Sequence, residues 1–338
     1  MTITKQDTMR AIVQREYGSA ETLEMTGIPT VAADEVLIEV HAAGVDRGVW
    51  HLMMGVPYLI RGMGYGFARP KTPIPGFDVS GRVVAVGADV TRFAVNDEVF
   101  GIATGAFAEY AAAKERKLVH KPANLSHAQA GVAAISGITA LQGLVDVAKV
   151  RAGQRVLVIG ASGGVGTYAV QIAKALGADV TGVASGRKLE MVRALGANRV
   201  IDYATTDYLD GSARYDVIVD IGGLNPLRRL RQALTHDGTL VIVGGEGGGR
   251  FTGGIGRQLR AVLLSPFIRQ RLAMFISSES HTHIERLAEF LSDGRVRPAV
   301  GCRYSLENAA AAIADLEAGE ASGKSVVVVR GEGRGHAE

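Results

Sequence analysis

RVLVIGASGGVG, Arg155 to Gly166, is the stretch from which the rest of the chain can be read. RVLVIG is a continuous apolar run of strand length. Beyond the glycine turn, Val165, Ala169, Ile172 and Leu176 recur at helical spacing before Gly177. Gly163 and Gly166 fall in the last two glycine positions of G-x-G-x-x-G, with Ala161 in the first. Gly163 lets the backbone come close to a pyrophosphate, Gly166 lets the helix pack near the strand, and the helix start offers free N–H groups to a phosphate. A glycine turn that serves packing alone is the alternative. The strand before it and the helix after it are the context that favours dinucleotide binding.

Toward the carboxyl end, ADVTGVAS reads as strand, RKLEMVRALGA as helix, RVIDY and DVIVDIGG as strands, LNPLRRLRQALTHDG as helix and TLVIVGG as strand. Alternation at these lengths marks a parallel sheet wound on both faces. RLAMFIS adds a further strand, HIERLAEFLSDG is amphipathic, ASGKSVVVV is a returning strand, and the polar tail GEGRGHAE is expected to fray. Toward the amino end, up to Asn124, short β-like runs such as EVLIEVHAAG, VSGRVVAVG and DEVFGIATGAFAEYAAA are punctuated by glycine. They predict a compact, β-rich or barrel-like unit.

The second strand of the nucleotide unit ends in SGRKLE, with Ser185, Arg187 and Lys188 where an NAD binder carries a carboxylate for the ribose hydroxyl. An arginine and a hydroxyl suit a 2′-phosphate, so NADPH is expected over NADH. Plain solvated residues at a helix start are the alternative.

The 338 residues are 47% apolar and 21% charged with 44 glycines, which fits an α/β enzyme of about two domains. No apolar run approaches the roughly 18 residues of a membrane span, and MTITKQDTMR lacks the apolar centre of a secretion signal. A cytoplasmic address without a stable membrane anchor is expected. The net charge of +3 is dispersed except between Arg250 and Arg271, so no nucleic-acid partner is expected. Cys302 is the only cysteine, which excludes an intrachain disulfide and a cysteine-clustered zinc site.

PGFDVSGRVVAVG at Pro75 to Gly87, DEVFG at Asp97 to Gly101, SGITALQGL at Ser136 to Leu144, GASGGVG at Gly160 to Gly166 and IDY ending at Tyr203 together carry a resemblance over the whole chain. The chain resembles the zinc-free branch of the medium-chain dehydrogenase/reductase superfamily, the quinone oxidoreductase-like NADPH enzymes. The resemblance implies a GroES-like β-barrel catalytic domain in residues 1–124 and 294–338, with a Rossmann domain in 125–293 inserted between. It implies pyrophosphate contacts at Ser162, Gly163, Gly164 and Val165, 2′-phosphate contacts at Ser185, Arg187 and Tyr203, and nicotinamide contacts at Thr139, Val243 and Gly244. Ser322 lies in a segment that also reaches the cofactor in relatives. Subunits of the superfamily often pair through the edge of the nucleotide-binding sheet, which would place RLAMFIS at a homodimer contact.

At the positions of the three zinc ligands of the metal-dependent branch stand Asp46, Phe77 and Ile135, and the last two offer no lone pair. No metal is expected. The loop around Asp46 reads GVDRGVWHLMMG, Gly44 to Gly55, and departs from the zinc-free pattern, in which asparagine commonly occupies the Asp46 position. Three residues here are candidates for catalysis. His51 is read as a proton donor or relay, with a packed loop histidine as the alternative. Asp46 is expected to pair with Arg47 or to accept from a cofactor hydroxyl, which makes Arg47 a candidate cofactor contact. Tyr58 lies in GVPYLIRGMGYGFARP, read as an extended loop able to cover a substrate, with aromatic packing as the alternative.

The expected activity is hydride transfer to an enone or quinone, whose developing oxyanion is held without a metal. Reduction of an aldehyde or ketone is the second reading. An NADPH-binding interaction protein with little turnover is the third.

Overall fold

Seven strands precede the glycine turn: β1 (Thr8–Val13), β2 (Thr22–Gly27), β3 (Glu35–Val45), β4 (Asp78–Val86), β5 (Glu98–Ile102), β6 (Tyr110–Lys114) and β7 (Leu118–His120). Six follow in the nucleotide unit: β8 (Arg155–Ile159), β9 (Asp179–Ala184), β10 (Arg199–Asp202), β11 (Tyr215–Asp220), β12 (Leu234–Ile242) and β13 (Arg271–Met274). β14 (Val300–Ser305) and β15 (Lys324–Val328) close the chain. This computed structural model describes residues 8–18, 22–244 and 249–331, so most of the expected frayed tail lies outside the described residues.

The six-stranded sheet has the order β10-β9-β8-β11-β12-β13 and every neighbour is parallel. Its order reverses between β8 and β11, the place where a doubly wound sheet opens a crevice beyond the carboxyl ends of its strands. The strands are buried on both faces, which is why RVLVI and YDVIVD read as continuous apolar runs rather than alternations. The helix Gly164–Ala175 packs between the sheet and the helix Ala134–Leu141, with Tyr168, Ala169 and Ile172 fully buried.

The second sheet has seven strands in the order β14-β15-β3-β4-β5-β7, with β6 also on β3. β15 pairs antiparallel with β3, Ser325 opposite Val45, so the chain's last strand completes the sheet begun by the first third of the sequence. In this unit the rings of His41 and His127 meet at a tilt of 37° with centroids 4.2 Å apart. Ser80 Oγ lies 2.9 Å from His127 Nδ1, and Glu98 Oε1 lies 3.3 Å from Nε2.

Two local expectations need correction. The helix expected from LNPLRRLRQALTHDG is confined to Leu227–Ala233, and the residues after it belong to β12, whose parallel pairing with β11 begins at Leu234 opposite Tyr215. Sheet pairing overrides helix propensity there. The loop Val56 to Lys71 is not extended: Arg61–Tyr65 form a wide helical turn, and Gly64 and Gly66 reverse the chain at φ 103° and 107°.

Candidate functional site

The glycine turn sits at the carboxyl end of β8 at the point of reversal. Gly163 N–H donates to Gly160 O at 3.1 Å, and a Cβ on Gly166 would stand 2.1 Å from that same oxygen, so only glycine fits. The far end of the chain touches the turn directly, because Gly323 N–H, next to Ser322, donates to Ser162 O at 3.0 Å. On the other side of the crevice Val243 and Gly244 both donate N–H to Asp220 O, and a Cβ on Gly244 would stand 1.7 Å from Ile221 O. Arg257 braces this corner: Nη1 donates to Asp220 Oδ2 at 2.5 Å and to Asn225 O at 3.0 Å. Burial pushes the Asp220 carboxyl up, against the pull of that guanidinium. Thr139 is half-buried and its hydroxyl donates back to Ile135 O at 2.7 Å.

Ser185, Arg187 and Tyr203 lie at the neighbouring ends of β9 and β10, where Tyr203 N–H donates to Ala184 O at 3.3 Å. Arg187 is exposed and Tyr203 is 58% exposed. Lys188 is placed otherwise than expected. Its side chain is buried and Nζ donates to Gly319 O and Ala321 O at 3.1 and 2.6 Å, so it ties down the segment leading to β15 instead of facing a phosphate. The sequence reading also overlooked Asp202, which pairs across the sheet with Ala184 and brings Oδ2 within 2.7 Å of where a Cβ on Gly186 would be.

The loop Gly44 to Gly55 folds as the helix Arg47–Met54, and Asp46 is its N-cap: Oδ1 accepts from Val49 N–H at 3.0 Å. The expected Asp46–Arg47 pairing gives way to a different arrangement. Asp46 Oδ2 is 3.8 Å from Lys324 Nζ, and Lys324 Nζ is 3.1 Å from Asp78 Oδ2. Arg47 lies over the Trp50 ring, 5.4 Å from its centroid. Asp46, Asp78 and Lys324 are 7%, 0% and 2% exposed, and Ile135 N–H donates to Asp78 Oδ1 at 2.7 Å. Burial pushes the Asp78 carboxyl up to about 6, opposed by the Lys324 ammonium and reinforced by Asp46. Asp46 Oδ2 is buried without a hydrogen-bond partner. Neither Asp78 nor Lys324 was singled out in the sequence, although both stand in the motifs PGFD and GKSVVVV. Phe77 and Ile135, beside them, pack into the apolar core. Among the described residues no three His, Cys, Asp or Glu side chains gather as metal ligands would.

A cavity of about 550 Å³ opens between the helix Arg47–Met54, the turn after it and residues 249–258. His51 and Tyr58 both line it. His51 Nδ1 lies 2.9 Å from Val56 O, and a carbonyl only accepts, so Nδ1 carries the proton and the neutral ring has its lone pair on Nε2. Tyr58 N–H donates to Arg250 O at 2.7 Å and Leu59 N–H to Phe251 O at 3.2 Å, which joins the two walls of the cavity. Trp50 Nε1, in the same wall, is buried without an acceptor.

Two family models match the chain: the alcohol dehydrogenase GroES-like domain over residues 32–123 and the zinc-binding dehydrogenase over residues 195–327. The quinone oxidoreductase of Homo sapiens is 32% identical, with 96% of this chain and 99% of that protein covered. The 2-methylene-furan-3-one reductase of Solanum lycopersicum is 29% identical, covering 94% of this chain and 79% of that protein. Among solved structures, the quinone oxidoreductase from Coxiella burnetii matches with a TM-score of 0.83 at 27% identity, covering 96% of this chain and 100% of the other.

Proposed function

The chain belongs to the quinone oxidoreductase-like part of the medium-chain dehydrogenase/reductase superfamily, and from that premise we propose a zinc-independent, NADPH-dependent reductase that passes hydride to an activated double bond, an enone or a quinone. Membership makes it an oxidoreductase. The double bond and the cofactor are our reading. The name of the tomato relative, a reductase of a methylene conjugated to a ring carbonyl, supports the first.

The residues present fit a dinucleotide on two counts. The Gly160–Gly166 turn leaves no room for a side chain at Gly166, while the helix Gly164–Ala175 begins there and offers its first N–H groups to a pyrophosphate. The orphaned Asp46 Oδ2 is an acceptor waiting for a hydroxyl donor, which a ribose has. Ser162, Gly163, Gly164, Val165 and Ser322 would hold the diphosphate, Ser185, Arg187 and Tyr203 the 2′-phosphate, and Thr139, Val243 and Gly244 the nicotinamide end, with Arg47 near the ribose. Bound NADPH supplies the hydride.

The observation that carries the reading is the Asp46–Lys324–Asp78 cluster. At the position of a zinc-binding side chain the chain has a carboxylate facing a buried ammonium, so the cation of this site is covalently part of the protein. Such a site lacks the strong electrophile that alkoxide formation from an aldehyde needs, and suits an enolate, whose charge is shared between its oxygen and the α-carbon. His51, with Nδ1 donating to Val56 O, accepts when neutral and gives a proton only as imidazolium. A cytoplasmic homodimer completes the reading. The open edge of β13, the last strand of its sheet, with Phe267 and Ile276 exposed nearby, supports the pairing.

Saturable NADPH consumption in the presence of a strong chelator, measured on enones, quinones and aldehydes with wild type and His51→Ala, tests the whole reading. Enones and quinones should turn over, and the substitution should matter little for them. It should lower aldehyde turnover by roughly 10²–10⁴, the range for a positioned acid or base. Activity lost to the chelator and restored by zinc would refute the metal-free site, and turnover of aldehydes alone would favour carbonyl reduction.

A further inference from the structure

Arg61 stands on the wall of the 550 Å³ cavity in an arrangement that the hydride chemistry does not use. Its guanidinium lies between two tyrosine rings, with Cζ 4.1 Å from the Tyr17 centroid and 4.6 Å from that of Tyr58. Nε donates to Gly55 O at 2.8 Å. Gly55 is held at φ 61°, and a Cβ there would come within 2.7 Å of Nε and 2.5 Å of the Tyr17 ring, so the turn itself is shaped around this side chain. Tyr17 is fixed in turn by donating its hydroxyl to the carbonyls of Tyr65 and Gly66.

The ring contacts and the Nε bond orient the guanidinium plane, and among the described residues no acceptor takes its two Nη groups and no carboxylate forms an ion pair with Arg61. Among the described residues the lining carries Arg61 and Arg250 against one carboxylate, that of Glu317, which pairs with neither. A guanidinium that is pre-oriented, flanked by apolar faces and unpaired is the arrangement that recognises a carboxylate through two parallel N–H bonds, and it gains little from a neutral ligand. A cavity of this volume also exceeds what a small enone fills, since sites of 300–1,000 Å³ take drug-sized molecules.

We propose that Arg61 anchors a carboxylate on the substrate, so that the preferred substrate is an enone or quinone bearing an acidic side group, with the reactive double bond lying toward His51 in the same cavity. Resting on the hydride-transfer reading, the inference adds an anionic handle to it. Tyr17 and Tyr58 act as positioning residues for the guanidinium.

The test compares KM for 3-benzoylacrylic acid and its methyl ester, two enones of the same skeleton of which only the first carries a carboxylate. Wild type should show a KM for the acid about ten- to a hundredfold lower than for the ester, the range of one charge-assisted pair. Arg61→Leu should erase that preference while leaving the ester's KM and the affinity for NADPH within about twofold, and Arg61→Lys should restore part of it. Equal KM values in wild type, or equal losses for acid and ester in Arg61→Leu, would overturn the inference. If neither compound is reduced, the hydride-transfer reading fails first. Calorimetric binding of the saturated acid, 3-benzoylpropionic acid, and its ester to protein with NADP present then decides the anchor by itself: tighter acid binding lost in Arg61→Leu supports it, and equal binding refutes it.

Discussion

The glycine turn at Gly160–Gly166 and the Asp46–Asp78–Lys324 cluster lie against one another, since Lys324 Cδ is 2.9 Å from where a side chain on Gly164 would begin. They are specified in opposite ways. The turn is one contiguous segment whose job is steric: a Cβ on Gly166 would stand 2.1 Å from Gly160 O, and Gly160 is held at φ 86°. The cluster takes one side chain from a helix cap, one from β4 and one from β15, and what holds it is charge balance in a site closed to water. Contiguous geometry is written in adjacent residues; charge compensation appears only once the chain has folded.

The largest expected effect follows from that balance. Lys324→Met leaves two buried carboxylates facing each other, and removing one partner of a buried ion pair costs about 3–5 kcal/mol. Adding Asp78→Asn should recover more than half of that loss, because the remaining Asp46 carboxylate keeps its cap bond from Val49 N–H. Denaturant titration of the two variants measures this. A cost of under about 1 kcal/mol for Lys324→Met would mean that the three groups do not depend on one another.

The same contrast explains what could be read in advance. β8, the turn and the helix after it were legible because their signals are local: an apolar run, glycines at fixed spacing, and apolar residues at helical period. The parallel sheet followed from the alternation of strand and helix, and its six strands bear it out; the whole-chain resemblance implied that the carboxyl end returns to the β-rich unit, where β15 pairs with β3. Lys324 and Asp78 were passed over because nothing in the spacing of residues 78 and 324 says that they meet. Lys188 was misjudged for a related reason: the carbonyls of Gly319 and Ala321 that take its ammonium come from a segment more than a domain away in sequence. The wide turn at Arg61–Tyr65 was missed because its glycines suggested an extended loop, whereas Gly64 and Gly66 reverse the chain.

The corner where β9 and β10 end sharpens the comparison, because it combines a local signal with a remote one. Arg187 was read from the end of β9, and Asp202 arrives beside it only through the pairing of β10 with β9. Arg187→Ala should weaken NADPH by about 1.5–3 kcal/mol, the range for bonds to a charged group, and leave NADH nearly unchanged. Asp202→Asn should move the balance the other way and tighten NADPH, because a carboxylate there repels a 2′-phosphate. Fluorescence titrations of both variants with both cofactors separate the two residues. Equal losses of NADPH and NADH in Arg187→Ala would remove that arginine from the phosphate site.

The smallest expected effect concerns a second buried titratable group, and it runs opposite in sign to that of Asp78. Burial, with the His41 ring beside it, holds the His127 imidazole down to about 4, against the opposing pull of Glu98. Lys121, paired with Glu98, adds to the depression. The fold therefore binds a proton at His127 less readily than the unfolded chain does, so this contribution is present above about pH 6.5 and is lost as pH falls toward 4. Asp78, pushed up to about 6, favours the fold at low pH, and that contribution is lost as pH rises from about 4 through 6. Wild type thus carries two opposing slopes between about pH 4 and 6. His127→Gln keeps a group able to bond Ser80 Oγ but cannot charge. Its melting temperature should fall by a few degrees less than that of wild type between pH 7 and pH 5, as expected when a term of about 1 kcal/mol is removed from a chain of this size. Asp78→Asn should instead make the acid-side fall steeper. Melting curves of the three proteins across that range read both slopes, and an unchanged acid response in His127→Gln would assign the sensitivity to carboxylates elsewhere in the fold.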